Sequence, residues 1–125
     1  MRRRKLLIAD DSEMNRAILA NVLDQEFEVI EATNGQEVII ALQSYGTQIS
    51  ALLLDIVMPE MDGFEVLEEM NRRHWIEDIP TIMISAETSN TYIDRAFELG
   101  ASDYISRPFV PGIVRRRIIN TILLH

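Results

Sequence analysis

The sequence predicts an α/β fold built on a single doubly wound parallel sheet with helices on both faces. Two observations carry this expectation. Short apolar runs of strand length alternate along the chain with segments of helical period. Two of the runs, ALLLDIV from Ala51 and TIMIS from Thr81, are almost wholly apolar. A strand that is apolar at nearly every position needs cover on both faces, which is the environment of a central parallel strand. Strict alternation of strand and helix then calls for right-handed crossovers, which place helices above and below the sheet.

The elements follow in order. Residues 5–9 form the first strand and 13–24 the first helix, where Met14, Ile18 and Val22 recur every four residues as an apolar face. Residues 28–32 are the second strand. Asn34-Gly35 marks a turn before the helix at 36–44. The third strand spans 51–54 and its helix 63–73. The fourth strand spans 81–85 and its helix 90–99, closed by Gly100 where a helix C-terminal glycine belongs. The fifth strand covers 103–106. A last helix starts at Pro111, with Ile118 and Ile122 on one face.

Composition narrows the function. At 125 residues the chain is sized for one domain, 1–125. Apolar residues make up 47% and charged residues 26%, an ordinary balance for a globular protein. Cysteine is absent, which excludes disulfides and thiolate metal sites and makes a cytoplasmic setting the expectation. The basic start has the outline of a signal peptide. Its apolar run, 6–9, nevertheless stops at two aspartates, far short of a signal or membrane segment. The net charge of −8 argues against a direct nucleic-acid partner, and the basic residues at 2–5 and 115–117 read as solvated ends.

In a doubly wound sheet, ligands bind beyond the carboxyl ends of the strands. Asp10, Asp11 and Ser12 follow the first strand. Asp55 ends the third and leads into Ile56, Val57, Met58 and Pro59. Ser85, Ala86 and Glu87 lie at the end of the fourth, and Arg107 and Pro108 after the fifth. Parallel neighbours bring these ends to one patch, where carboxylates, a hydroxyl and a guanidinium meet. Crowded carboxylates repel one another and are costly to bury unpaired. A hard divalent cation resolves the conflict, since Mg2+ takes oxygen ligands, uses one or two carboxylates directly and keeps several waters. The expected ligands are Asp11 and Asp55 directly, Asp10 through water, and the backbone carbonyl of Val57.

Each residue alone also has a plainer reading. Asp10 and Asp11 suit a helix cap, Ser85 a strand end, Arg107 a surface loop and Tyr104 a half-buried core. Asp55 is harder to dismiss, because it ends a strongly apolar strand ahead of a proline turn.

The whole chain resembles the receiver domains of two-component signalling. The segments that carry the likeness are LLIADDSEMNR, LLLDIVMPEMDGFEVL, PTIMISA and GASDYISRPF. The second is the most specific, with an aspartate followed by Met-Pro and then Asp-Gly. The resemblance implies a five-stranded parallel sheet in the order 2-1-3-4-5 flanked by five helices. It implies that Asp55 is the phosphoacceptor and that Asp10 and Asp11 form the acidic Mg2+ pocket. It makes Ser85 the switch hydroxyl and Tyr104 the aromatic switch that turns inward. Arg107 stands where the family usually has lysine, as the cation that contacts phosphate. Arginine keeps the charge but is longer and planar, and Lys5, the only lysine, begins the first strand at the far end of the sheet. The peptide before Pro108 is often cis in this family.

The implied role is that of a signalling phosphoacceptor rather than an enzyme acting on other molecules. Its partners would be a histidine kinase or phosphotransfer protein, read by the first helix around 14–19, and a downstream output domain or effector. A homodimer through helices four and five on phosphorylation is a further expectation. The final helix resembles receiver ends that lead into a further domain, and also those of free-standing receivers. Val57 and Glu87 border the pocket and bear on phosphoryl lifetime.

Three other readings compete. A non-phosphorylated pseudo-receiver interaction domain would keep the fold and lose the switch, with Arg107 as its main argument. An aspartate-nucleophile phosphohydrolase wants a second aspartate two residues after the nucleophile, where this chain has Val57. A flavodoxin-like cofactor module needs small residues after the first strand, where Asp10 and Asp11 would repel a phosphate.

Overall fold

In β3 (Ile49–Asp55), from Ala51 onward, successive side chains point to opposite faces of the sheet, and each set has its own apolar core. Leu52 and Leu54 pack with Leu7, Met83 and Tyr104 beneath Val38, Leu42, Leu67, Met70 and Ala96. Ala51 and Leu53 pack with Leu6, Ile8, Ile82, Ile84 and Ile105 against Leu19, Leu23, Val114 and Ile118. The apolar runs of the sequence are therefore two interleaved half-patterns, one for each side.

The computed structural model describes residues 4–86 and 89–125. Around β3 it sets β1 (Arg4–Ala9), β2 (Phe27–Ala32), β4 (Thr81–Ser85) and β5 (Asp103–Ser106), all parallel, in the order β2-β1-β3-β4-β5. The helices α2 (Gly35–Tyr45), α3 (Gly63–Arg72) and α4 (Asn90–Glu98) cover one face, and α1 (Glu13–Leu23) and α5 (Pro111–Leu124) the other. This is the predicted fold and strand order. No helix among the described residues is long and apolar enough to cross a membrane.

Two local expectations are corrected. On α1 the buried residues are Leu19 and Leu23, with Val22 packed at the edge, whereas Met14 is 72% and Ile18 42% exposed. The helix carries two apolar stripes, and the sheet takes the one offset by a residue from the predicted face. Asn34-Gly35 is not a free turn. Asn34 caps α2 by accepting the Glu37 N–H at 2.9 Å, and Gly35 is already helical. A Cβ on Gly35 would collide with Met61, whose carbonyl accepts the Gly35 N–H at 3.0 Å, so α2 docks on the loop that follows β3.

The remaining differences are at element ends. Strand β3 starts at Ile49, directly after a 3-10 turn at Gly46–Gln48. Gly100 does follow α4 with φ 101°, the left-handed geometry that a terminating glycine supplies. The Arg107–Pro108 peptide is cis. Arg115, Arg116 and Arg117 are exposed on α5, where Arg115 pairs with Glu26 and Arg117 with Asp103. Arg2, Arg3 and Glu87 lie outside the described residues.

Candidate functional site

Strand alternation does much of the work of assembling the site. Asp10 continues the Leu6 and Ile8 series, Asp55 the Ala51 and Leu53 series, and Arg107 follows Ile105 at the same spacing. All three leave the carboxyl edge of the sheet on the side covered by α1 and α5. Ser85 continues from Met83, and Tyr104 shares that opposite side. The register keeps these ends together: Ala9 lies opposite Leu54, Asp55 opposite Ile84, and Ser85 opposite Ser106.

Asp10, Asp11 and Asp55 converge, with one carboxylate oxygen from each within 4.8 Å of the other two. Asp10 and Asp55 are buried at 2% and 4% exposure, and Asp11 faces solvent. The capping account of the aspartate pair does not explain this arrangement, because the side-chain cap of α1 is Ser12, which accepts the Asn15 N–H at 3.3 Å. Asp10 instead uses Oδ1 to accept the Ser12 N–H at 2.9 Å.

Arg107 supplies the opposing charge. Its guanidinium pairs with Asp10 Oδ2 and places Nη1 3.5 Å from Asp55 Oδ2, while its buried Nε has no hydrogen-bond partner among the described residues. Its backbone N–H donates to the Ser85 carbonyl at 2.9 Å, tying the end of β5 to the end of β4. Burial pushes the Asp55 carboxyl up to about 6. The Arg107 cation opposes that rise, the Asp10 carboxylate adds to it, and the Ile56 and Val57 N–H groups oppose it. A buried acid that is costly to ionise beside two more carboxylates is a donor set suited to a hard divalent cation.

The loop after β3 is held close by glycine. Gly63 N–H donates to the Ile56 carbonyl at 2.8 Å, and a Cβ there would lie 2.9 Å from Ile56 Cα and overlap the Asp55 carbonyl. Asp62 and Glu65 form a reciprocal capping box that starts α3 at this point. Val57 is exposed in the same loop, Ser85 is buried, and the Tyr104 ring is buried in the α2–α3–α4 core.

The chain matches the response regulator receiver domain family over residues 6–119. It belongs to that family. Among related receivers, it is 40% identical over 114 residues to Response regulator RR06 of Streptococcus pneumoniae, covering 90% of this chain and 50% of that protein. It is 39% identical over 116 residues to transcriptional regulatory protein SrrA of Staphylococcus aureus, covering 91% of this chain and 46% of that one. The chain thus spans about half the length of the curated relatives it matches.

Solved receiver structures agree. The chemotaxis protein CheY4 of Vibrio cholerae superposes with a TM-score of 0.87 at 26% identity, covering 96% of this chain and 99% of that one. A receiver domain protein from Methanospirillum hungatei JF-1 shares the fold at a TM-score of 0.89 and 22% identity, over 98% and 96% of the two chains. Receiver domains typically bind Mg2+ through acidic residues, and this one has a cluster of the matching kind. Sequence reasoning missed Arg16, whose Nη1 donates to the Asp10 carbonyl at 2.7 Å. An arginine on the first helix gives no local sign of that contact.

Proposed function

We propose that residues 1–125 form one phosphoacceptor switch, in which Asp55 takes a phosphoryl group from a histidine kinase or phosphotransfer protein. The observation that carries this reading is the convergence of Asp10, Asp11 and Asp55 within 4.8 Å at the carboxyl edge of the sheet. Asp11, Asp55 and the Val57 backbone carbonyl would hold Mg2+, with Asp10 acting through water. When bound, Mg2+ supplies positive charge opposite the phosphoryl oxygens.

The chain's own residues do the rest. An Asp55 carboxylate oxygen attacks phosphorus in line as the donor's phosphorus–nitrogen bond breaks, and the electron pair stays on the departing imidazole, which takes up a proton. Attack needs the ionised carboxylate, so the charge of Arg107 beside a buried Asp55 favours the reactive form. Arg107 also faces the oxygens on which charge collects. The acyl phosphate adds charge and strong acceptors at the sheet edge. Ser85 then donates its hydroxyl to a phosphoryl oxygen, and Tyr104 follows the loop after β4, changing the surface of α4, β5 and α5. A partner that prefers the changed surface shifts the equilibrium by its differential affinity.

The donor would dock beside the pocket. Met14 and Ile18 leave an exposed apolar stripe on α1. Next to it lies a groove of about 470 Å³ lined by Asn15, Ile18, Ala86, Arg107, Pro108 and Phe109. That stripe suits a helical donor domain presenting its phosphohistidine to the pocket.

One observation favours a second reading. Arg107 spans both Asp10 and Asp55, so a pocket closed by its own arginine describes a pseudo-receiver that works by docking alone. Intact mass after incubation with acetyl phosphate and Mg2+ decides between the two. One added phosphoryl group, lost in Asp55→Asn and after chelation, is the expected result. No adduct on folded protein, together with no beryllofluoride binding, would leave the pseudo-receiver.

A further inference from the structure

The Asp10 peptide is held from several directions, and one of the groups that holds it comes from α1. Asp10 N–H donates to the Ala32 carbonyl at 3.1 Å, and its carboxylate is engaged by the Ser12 N–H and by Arg107. Its carbonyl accepts Nη1 of Arg16 at 2.7 Å. The same guanidinium pairs through Nε with Glu31 Oε1 on β2 at 3.0 Å. The Arg16 side chain is only 12% exposed. Its charge is also felt by Glu37, whose carboxylate accepts the Thr33 N–H and hydroxyl at 2.6 and 2.7 Å.

A surface ion pair would contribute little and would not need burial. Arg16 instead directs one arm of its fork to a main-chain carbonyl at the heart of the acidic cluster. The Asp10 carbonyl and the Asp11 N–H share one rigid peptide plane. Fixing the carbonyl therefore fixes the direction in which Asp11 leaves the strand. A planar fork serves two acceptors at once, which a lysine ammonium on a flexible stem does less well.

We propose that Arg16, anchored by Glu31, is a positioning residue for the metal-binding carboxylates. It clamps the Asp10–Asp11 peptide so that both side chains are presented to a cation before one arrives. This inference rests on the Mg2+ reading above and names how that site is preorganised. Groups outside the ligand set that orient ligands commonly change metal affinity by about ten-fold or more when removed.

The test uses the full chain and Mn2+ as the probe, with free Mn2+ followed by electron paramagnetic resonance at a temperature where circular dichroism shows every variant folded. Arg16→Met should weaken Mn2+ binding about ten-fold. Arg16→Lys should recover only part of that loss. Glu31→Gln, at a partly exposed position, should weaken binding less than Arg16→Met, and the double variant should be no worse than Arg16→Met alone. In metal-free protein the Ser12 amide resonance, which reports the Asp10 carboxylate, should move in Arg16→Met. Unaltered Mn2+ affinity in folded Arg16→Met overturns the proposal, and so do losses from Arg16→Met and Glu31→Gln that simply multiply. If the parent chain binds no Mn2+, the Mg2+ reading falls. The amide comparison then decides alone, with an unmoved Ser12 resonance counting against Arg16 and a moved one in its favour.

Discussion

Arg107 and Asp10, ninety-seven positions apart in the chain, meet as a partly buried ion pair at the carboxyl edge of the sheet. The pairing neutralises one acid of a crowded set and leaves the guanidinium 3.5 Å from a second, Asp55. Removing it by Arg107→Gln should leave Asp10 and Asp55 repelling each other. The Asp55 titration, followed by carboxyl carbon resonance in chelated protein, should move above about 6. Stability at pH 7 should fall by about 2 kcal/mol, less than for a fully buried pair because Arg107 is 20% exposed. Equal stability and an unmoved midpoint would show that the pairing contributes nothing.

The same pair sets up a competition that a metal titration can read. Arg107 and a divalent cation draw on the same carboxylates. A lysine at this position has one ammonium and no fork, so Arg107→Lys should hold Asp10 and Asp55 less well together. Mg2+ affinity by calorimetry should rise several-fold, or about 1 kcal/mol. A lower affinity in Arg107→Lys would mean that the fork assists the metal.

Asp55 makes stability depend on pH, with a sign opposite to that of a salt-bridged carboxylate. Its folded pKa of about 6 lies above the reference value of 3.8, so the folded protein holds the proton more tightly than the unfolded chain. The group imposes no penalty below about pH 4. A penalty then grows as pH rises to about 6 and is complete above it, reaching at most about 3 kcal/mol. Asp55→Asn should therefore stabilise metal-free protein at pH 7 and change little near pH 4. Urea unfolding of both proteins in chelator checks this, and a stability difference independent of pH would contradict it.

Gly63 sits directly against the Asp55–Ile56 backbone. Gly63→Ala forces a methyl against the Asp55 carbonyl and Ile56 and should cost about 1–3 kcal/mol by overpacking. Because the strain falls on the peptide after Asp55, acetyl phosphate labelling should slow even where the variant is fully folded. Normal stability with normal labelling would mean that α3 can retreat.

Met14 and Ile18 should separate docking from chemistry. Changing both to alanine removes exposed side chains, so thermal stability and labelling by acetyl phosphate should stay near those of the parent. Phosphotransfer from a cognate donor protein should fall by about ten-fold or more, as expected when central interface residues are truncated. Equal losses with both donors would place the defect in the pocket.

Much of this was legible in the chain because strands and their ends are local features. The runs at Ala51 and Thr81 gave the central strands, and Asp10 and Asp11 after the first strand with Asp55 at the end of the third gave the site. The start of β3 was not legible, since Ser50 and the polar 3-10 turn before it conceal two strand residues. On α1, spacing identified an apolar stripe through Met14 and Ile18, but only the docked helix shows that Leu19 and Leu23 face the sheet. Asn34-Gly35 has the composition of a turn, and the close approach of Met61 turns it into a cap and a helix start. The reach of Arg16 to Asp10, and of Arg107 across to Asp10, depends on side chains that meet only after the sheet has formed.

The division of the sheet into two cores has a consequence for how such a protein can change over time. Asp10, Asp55 and Arg107 extend the packing pattern shared with α1 and α5, whereas Ser85 and Tyr104 extend the one shared with α2, α3 and α4. In the proposed switch, substitutions beneath α4 remodel what the molecule reports without touching the acids to which the chemistry is assigned. Substitutions beneath α1 likewise retune the proposed chemistry while the proposed reporting face is inherited intact. The two halves of the job are separately heritable, with the strands as their common border.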